Sequence, residues 1–448
     1  MSEEDPLLKR EAEEDAKIAP LGTRILDVIR LYWFLGLIAF GGPSAHVGIL
    51  RDHLVLHHKY MEDEPFMELF ALAGGLPGPT STQLVIATAV THAGPIGGML
   101  AFVMWVLPAF IILTSAGIFL YSFISPSNPP IWLVGVPAAA ISLIFKAFYA
   151  FCLKLDRLGV ALAMFSCTIA VMINGDYRIA PTSSQEVYPA LLFIGGLSTI
   201  IDFNRSSPIG TYWRPESVED SGPSEADRIL SKKIGIPIWG GVLAIIIWFS
   251  ILAVSIILVH AFGMKNGYLH VFETTYRIGS IIFGGGIVVL PMLKNVVVPL
   301  GWMTDAQFFQ GLGLTQSLPG PLFNFSAFVG ATYKGLWGAV VAMLGLFGPG
   351  FILIFAMMPF WGRVRHVAWF KALLKGLNAT AIGLIGSGCV FLYESAIIRA
   401  SDAMVFIITG GCACYYNMQA PLVIILGSAL GALFSPKALS VGQKPYGS

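Results

Sequence analysis

The chain has 448 residues, of which 56% are hydrophobic and only 12% charged, with a formal net charge of +1 and a mean hydropathy of +0.75. Globular domains carry about 25% charged residues, so too little charge remains here to solvate a water-facing surface. A soluble enzyme, a disordered regulator and a nucleic-acid binder are disfavoured, the last because no basic stripe accompanies the near-neutral balance. The bilayer is the expected solvent and lipid an expected partner.

Residues 1–22 open with the acidic stretch MSEEDPLLKREAEEDAKIAP, which lacks the pattern of a cleaved signal peptide and reads as a cytosolic polar tail. Apolar windows of spanning length then recur at about 25–43, 66–91, 96–122, 131–153, 157–173, 187–203, 236–262, 272–290, 306–332, 335–360, 371–392, 403–417 and 420–436. The predicted fold class is an all-α polytopic membrane protein with about 13 transmembrane helices. The longest polar interruption, 204–235, reads as a cytosolic linker. It separates a first repeat, 23–203, from a connecting helix, 236–262, a second repeat, 263–436, and a tail, 437–448. Five cysteines in apolar windows make neither a disulfide framework nor a matched metal pair.

Phe40-Gly41-Gly42 recurs as Phe283-Gly284-Gly285, and Leu76-Pro77-Gly78-Pro79 as Leu318-Pro319-Gly320-Pro321, at offsets of 243 and 242. Gly94, Gly97 and Pro108 are matched by Gly335, Gly338 and Pro349 at an offset of 241. Rare Pro and Gly tokens kept in order over this length mark an internal duplication. Lys and Arg in short loops favour the cytoplasm. If the N-terminus is inside and every window crosses once, Lys154 and Arg157, Lys232 and Lys233, and Lys371 and Lys375 all fall on that face. The second half is then inverted relative to the first, an arrangement used by transporters. The segment 44–65, which carries Arg51 and Lys59, fits this topology only if it lies along a membrane surface.

The interrupted windows hold the candidate site. In 66–91 and 306–332, Pro-Gly-Pro breaks a helix at membrane depth and frees backbone groups that lipid cannot satisfy. A helix N-terminus beyond such a break offers unpaired amides and about half a positive charge, which suits an anion. Candidate substrate-binding residues are Pro77, Gly78, Pro79, Thr80, Ser81, Thr82 and Gln83 in the first half, and Gln316, Pro319, Gly320, Pro321, Asn324 and Ser326 in the second. Gly41, Gly42 and Pro43, with Gly284 and Gly285, either let backbone approach the ligand or serve close helix packing. Pro-Gly-Pro can equally be a plain kink, but two breaks at matching positions favour a shared site. His46, Glu68, Lys146 and Asp305 are candidates for the pathway or its gates, against simple snorkelling and helix-end charge pairing. No catalytic constellation and no metal or cofactor motif is found, so neither an enzyme nor a cofactor is expected.

The stretches FGGPSAHVG (40–48), LPGPTSTQL (76–84), FGGGIVVLP (283–291) and SLPGPLFNFSAFVG (317–330) together resemble the chromate ion transporter family in its long, two-domain form. That resemblance implies a carrier of homologous halves that exports chromate, a tetrahedral dianion shaped like sulfate. The acidic start and long linker resemble a eukaryotic, fungal-type member. A sulfate or general oxyanion importer coupled to protons or sodium would share these motifs, whereas a receptor or intramembrane enzyme lacks sequence support. The plasma membrane is the expected location, with a vacuolar or endosomal membrane the alternative because Glu3-Glu4-Asp5-Pro6-Leu7-Leu8 resembles an acidic dileucine signal. A homodimer is compatible with the reading but not required by it.

Overall fold

The computed structural model describes residues 19–123, 130–174, 184–205, 225–264, 267–282, 289–364 and 367–434, and among these it contains helices and turns but no strand. Two hairpins open the fold. α1 (Leu21–Tyr32) runs through a single turn, Leu35–Ile38, and the chain reverses into α2 (Gly42–Arg51), which widens to a π-helix at Asp52–His57. Gly41 and Gly42 hold φ angles of 92° and 77°, a conformation that side chains with a Cβ disfavour. The two arms lie side by side, since His53 Nε2 bonds the Leu31 carbonyl at 3.0 Å.

The second hairpin pairs α3 (Asp63–Gly75) with the first part of α4 (Thr80–Phe123). Pro77 and Pro79 remove two amide donors and Gly78 sits at φ 124°, so no helix can run through. Tyr60, just before α3, lies 4.5 Å from His92 between ring centroids, which puts the two ends of the hairpin at one level. α4 then kinks at Ala93 and Gly94, the latter with φ 64° and ψ −160°, and continues as a long rod.

After α5 (Val136–Cys152), α6 (Arg157–Asn174), α7 (Ser184–Arg205), α8 (Glu225–Ile234) and α9 (Ile238–Ile256), the pattern returns. α10 (Tyr268–Ile281) and α11 (Val289–Val297) form one hairpin, and α12 (Asp305–Ser317) and the start of α13 (Phe325–Val364) form the other. Trp302 stacks on Tyr333 at 5.0 Å and meets His270 edge-on at 5.6 Å, so both hairpins have their bases together there. α13 kinks at Lys334 and Gly335 with nearly the angles of the first kink, φ 65° and ψ −154°. α14 (Ala368–Ala396), α15 (Ala400–Cys414) and α16 (Ala420–Phe434) complete the described chain.

The long rods α4 and α13 run antiparallel. Phe102 meets Phe351 and Phe347 at 5.1 and 5.6 Å. A side chain at Gly98 would meet Phe355, and one at Gly117 would meet Ala331. The hairpin bases of the two halves therefore stand at opposite ends of the rod pair, and their tips point toward each other.

Packing elsewhere relies on small residues, as it must where lipid removes the hydrophobic drive between helices. α7 and α14 touch backbone to backbone at Gly195 and Gly376. Thr199 and Ser166 donate across the interfaces to the carbonyls of Ala372 and Thr380 at 2.7 and 3.0 Å. Among the described residues, five helices are long and apolar enough to cross a membrane, and four shorter apolar ones accompany them. Ile238–Ala261 has only 11% of its window buried, against 72% for Trp369–Ala396, so its surface is left for lipid.

Thirteen crossings, one per apolar window, are not confirmed. The windows 25–43, 66–91, 272–290 and 306–332 belong to hairpins, while the other nine coincide with the five long and four shorter apolar helices. Hydropathy cannot tell these cases apart, because a hairpin buried among helices needs as many apolar residues as a span. The segment 44–65 is also reassigned: it is the return arm of the first hairpin, and Arg51 pairs with Asp63 at 2.6 Å across the hairpin bases. Gly284 and Gly285 lie outside the described residues.

Candidate functional site

Each Pro-Gly-Pro break is bonded to the tip of the other half. The Gly78 amide donates to the Ile282 carbonyl at 2.7 Å, and the Gly320 amide donates to the Ala39 carbonyl at 2.8 Å. Close approach is built in: a Cβ on Gly78 would stand 2.6 Å from Gly350 Cα, and one on Gly320 would stand 3.2 Å from Ala109 Cβ. Gln83 Nε2 donates to the carbonyls of Pro77 and Gly350 at 2.9 and 3.1 Å, while Asn324 Nδ2 donates to that of Val106 at 3.1 Å. The amide donors of Gln83 and Asn324 thus hold backbone.

His46 is fully buried beside the first tip. Its Nε2 lies 2.9 Å from the Ala39 carbonyl, which only accepts, so Nε2 carries the hydrogen. Nδ1 of the neutral ring then accepts from the Ser81 hydroxyl at 3.3 Å. Ala39 therefore takes two donors, one from its own half and one from Gly320. Trp105 closes the group edge-on to His46 at 5.1 Å.

Buried polar capacity remains around the breaks. Thr80 Oγ1, Thr82 Oγ1, Gln83 Oε1, Asn324 Oδ1 and Ser326 Oγ have no hydrogen-bond partner among the described residues. The first amides after Pro79 begin a helix and so have no intrahelical acceptor. Buried polar groups without partners are costly, so these atoms keep hydrogen-bonding capacity to spare.

A cavity of about 630 Å³ reaches the first tip and the second break together, lined by Gly41, Gly42, Gln316 and Leu322 and also by Lys146, Ala150 and Asn417. Lys146 Nζ donates to Asn417 Oδ1 at 2.8 Å. Of the sequence candidates, Gly41, Gly42, Gln316 and Lys146 share this cavity. Pro77, Gly78, Pro79, Pro319, Gly320 and Pro321 form the bonded breaks, and Thr80, Ser81, Thr82, Gln83, Asn324 and Ser326 are buried behind them. Pro43 stands in the first turn of α2. Glu68 lines a separate cavity of about 320 Å³ with Lys371 and Asn378.

Asp305 is not at the tips. It pairs with Lys294 at 2.8 Å, joining the two second-half hairpins as Arg51 and Asp63 join the first. The counterpart of Asp305 is therefore Asp63 rather than Glu68; the offsets 242 and 243 that align the breaks and tips also align these pairs. Arg51's hydrogen bond holds the exposed Asp63 carboxyl below its ordinary range. In the turn before α6, burial alone would raise Asp156, but the Lys375 bond at 2.6 Å and the Gly159 amide outweigh it and leave its carboxyl depressed. Sequence reading missed Asn417, whose left-handed φ of 50° turns its carbonyl oxygen onto Lys146. It also missed Gly36 and Gly279, which admit the carbonyls of Met104 and Leu346.

The sequence profile of a family described as chromate transporter matches residues 26–200 and 269–433. The chain is similar to a chromate transport protein of Pseudomonas aeruginosa, 28% identical over 408 residues that cover 88% of each chain. A chromate transport protein of Cupriavidus metallidurans is 24% identical over 405 residues, 90% of this chain and 91% of that one. A probable chromate transport protein of Synechococcus elongatus is 25% identical over 410 residues, 90% and 94% of the two chains. No solved structure matches.

Proposed function

The chain belongs to the chromate transporter family, and on that premise we propose that it exports chromate or a related tetrahedral oxyanion by alternating access at the tips. The reading is carried by one observation: the reciprocal bonds Gly78 to Ile282 and Gly320 to Ala39, with a cavity reaching Gly41, Gly42 and Gln316 beside the second bond and unpartnered buried polar atoms behind both breaks. Two halves latched tip to tip can rock about that junction and expose it to one side at a time.

The accompanying topology has nine crossings and four re-entrant hairpins, two per half, inverted with respect to each other. Its support is the antiparallel run of α4 and α13 and the charge at one end. Arg24 bonds the His92 carbonyl, Lys233 adjoins Gly94, and Lys371 and Lys375 share a cavity with Glu64 near the base of α3. Basic residues at that end assign it to the cytoplasm. The domain division at the 204–235 linker and the two-domain form belong to the same proposal. The plasma membrane is the assigned location, and a fungal-type source rests on the acidic start and linker alone.

Membrane potential supplies the direction. A charge crossing 100 mV changes energy by about 2.3 kcal/mol, so a dianion leaving an inside-negative compartment gains about 4.6 kcal/mol, on the order of a thousandfold bias. In cells challenged with chromate, replacing Pro77 or Pro319, or Thr80 through Thr82 together, should remove protection while the protein still reaches the membrane. Retained protection would remove the tips from the transport path.

A further inference from the structure

We infer that Lys146 and the cavity around it form a capture site at the basic end of the molecule, one that prefers a doubly charged tetrahedral oxyanion to a singly charged one. The inference rests on the oxyanion-carrier reading and adds to it the group that selects charge.

A lysine within an apolar helix is costly and calls for a partner. Lys146 sits on α5 beside Leu143, Ile144 and Ala147, yet its hydrogen bond is to the neutral carbonyl oxygen of Asn417. Among the described residues no carboxylate stands within ion-pair distance of it. Among the described residues its charge thus has no carboxylate partner, in a cavity of about 630 Å³ also lined by Gly41, Gly42 and Gln316. That geometry puts a cation in the same cavity as Gly41 and Gln316, beside the junction where Gly320 bonds Ala39. An anion moving from the basic end to the tips passes it.

The site has no copy in the other half. The position corresponding to Lys146 at the 241 offset is Ser387, which is fully buried and donates to the Leu384 carbonyl. Two halves that match at their tips, kinks and base ion pairs thus differ at this position inside the cavity, which biases loading toward one end. Coulomb attraction scales with the anion's charge, so the same lysine favours a dianion over a monoanion of similar size.

The full-length protein in vesicles, with its basic end facing the chromate-containing side, provides the test. Lys146→Met should raise the KM for chromate about tenfold, equivalent to 1.4 kcal/mol, with the maximal rate little changed, and Lys146→Arg should restore KM. Sulfate should compete better than perchlorate in the wild type, and that preference should disappear in Lys146→Met. If Lys146→Met folds poorly, amine acylation of Lys146 in the wild-type protein gives the second readout, and chromate should slow it. An unchanged KM and an unchanged dianion preference, or acylation indifferent to chromate, would overturn the capture site. A wild-type protein that moves neither chromate nor sulfate would instead overturn the carrier reading beneath it.

Discussion

The amide of Gly78 donates to the carbonyl of Ile282 at 2.7 Å, joining a break in the first half to a tip in the second. Gly320 and Ala39 repeat the bond with the halves exchanged, at 2.8 Å. The central glycine amide of each break is thus satisfied by the other half.

That relationship makes the glycines unequal to any other residue. Gly78 and Gly320 hold φ angles of 124° and 109°. Alanine there costs about 1–2 kcal/mol in the backbone alone. At Gly78 the added Cβ would also press on Gly350 Cα at 2.6 Å, adding about 1–3 kcal/mol of overpacking, whereas at Gly320 the contact is a milder 3.2 Å. Thermal unfolding in detergent should rank the variants wild type, Gly320→Ala, Gly78→Ala in falling stability, and chromate flux should fall in the same order.

Gln83 and Asn324 separate structure from binding. Their amide nitrogens hold the carbonyls of Pro77, Gly350 and Val106. Gln83→Leu should lower stability by about 1 kcal/mol per lost bond. The KM of the protein that remains folded should change less than the melting temperature suggests, as measured by flux normalised to folded protein. A large KM change at full stability would show the amide to be a ligand.

The Asp156–Lys375 pair links the α5–α6 turn of the first half to α14 of the second at 2.6 Å. Because Asp156 is held below its ordinary value, the pair's contribution is complete above the unfolded carboxylate pKa of about 3.9 and is lost as pH falls through the lower folded value. The melting temperature should therefore carry a constant contribution from this pair between pH 5 and 8, with no pH dependence from it, and a loss below about pH 4 that Asp156→Asn removes. The partly exposed pair is solvent-screened, so the effect is small.

Hairpins and spans predict different labelling. Cysteines placed at Lys59 and Lys233 should react with an impermeant thiol reagent from the same face, and one at Lys334 from the opposite face. Opposite-face labelling of positions 59 and 233 would restore a single crossing for the 66–91 window.

Much of this architecture was legible because Pro and Gly act locally. Pro77-Gly78-Pro79 must break a helix wherever it sits, and its recurrence at Pro319-Gly320-Pro321 revealed the duplication without coordinates. What the breaks do was not legible. Whether a chain crosses or turns back depends on which residues meet in space, such as Tyr60 with His92 or Trp302 with Tyr333, and those contacts leave no mark in hydropathy. The site shows the same division. Gly41, Gly42, Gln316 and Lys146 could be picked out by residue type, but their sharing one cavity depends on tertiary packing across the two halves. The paired clasps Arg51–Asp63 and Lys294–Asp305 were available from the same offsets, which also set Asp63 opposite Asp305.

The most direct test is radiolabelled chromate flux from vesicles holding the purified protein, under an imposed potential of either sign, with sulfate as the comparison. An inside-negative potential should drive chromate outward from vesicles whose lumen faces the basic end, and reversing the potential should reverse net flux. Flux absent at both signs, or indifferent to the potential and dependent on an added proton or sodium gradient, would contradict an electrically driven oxyanion exporter.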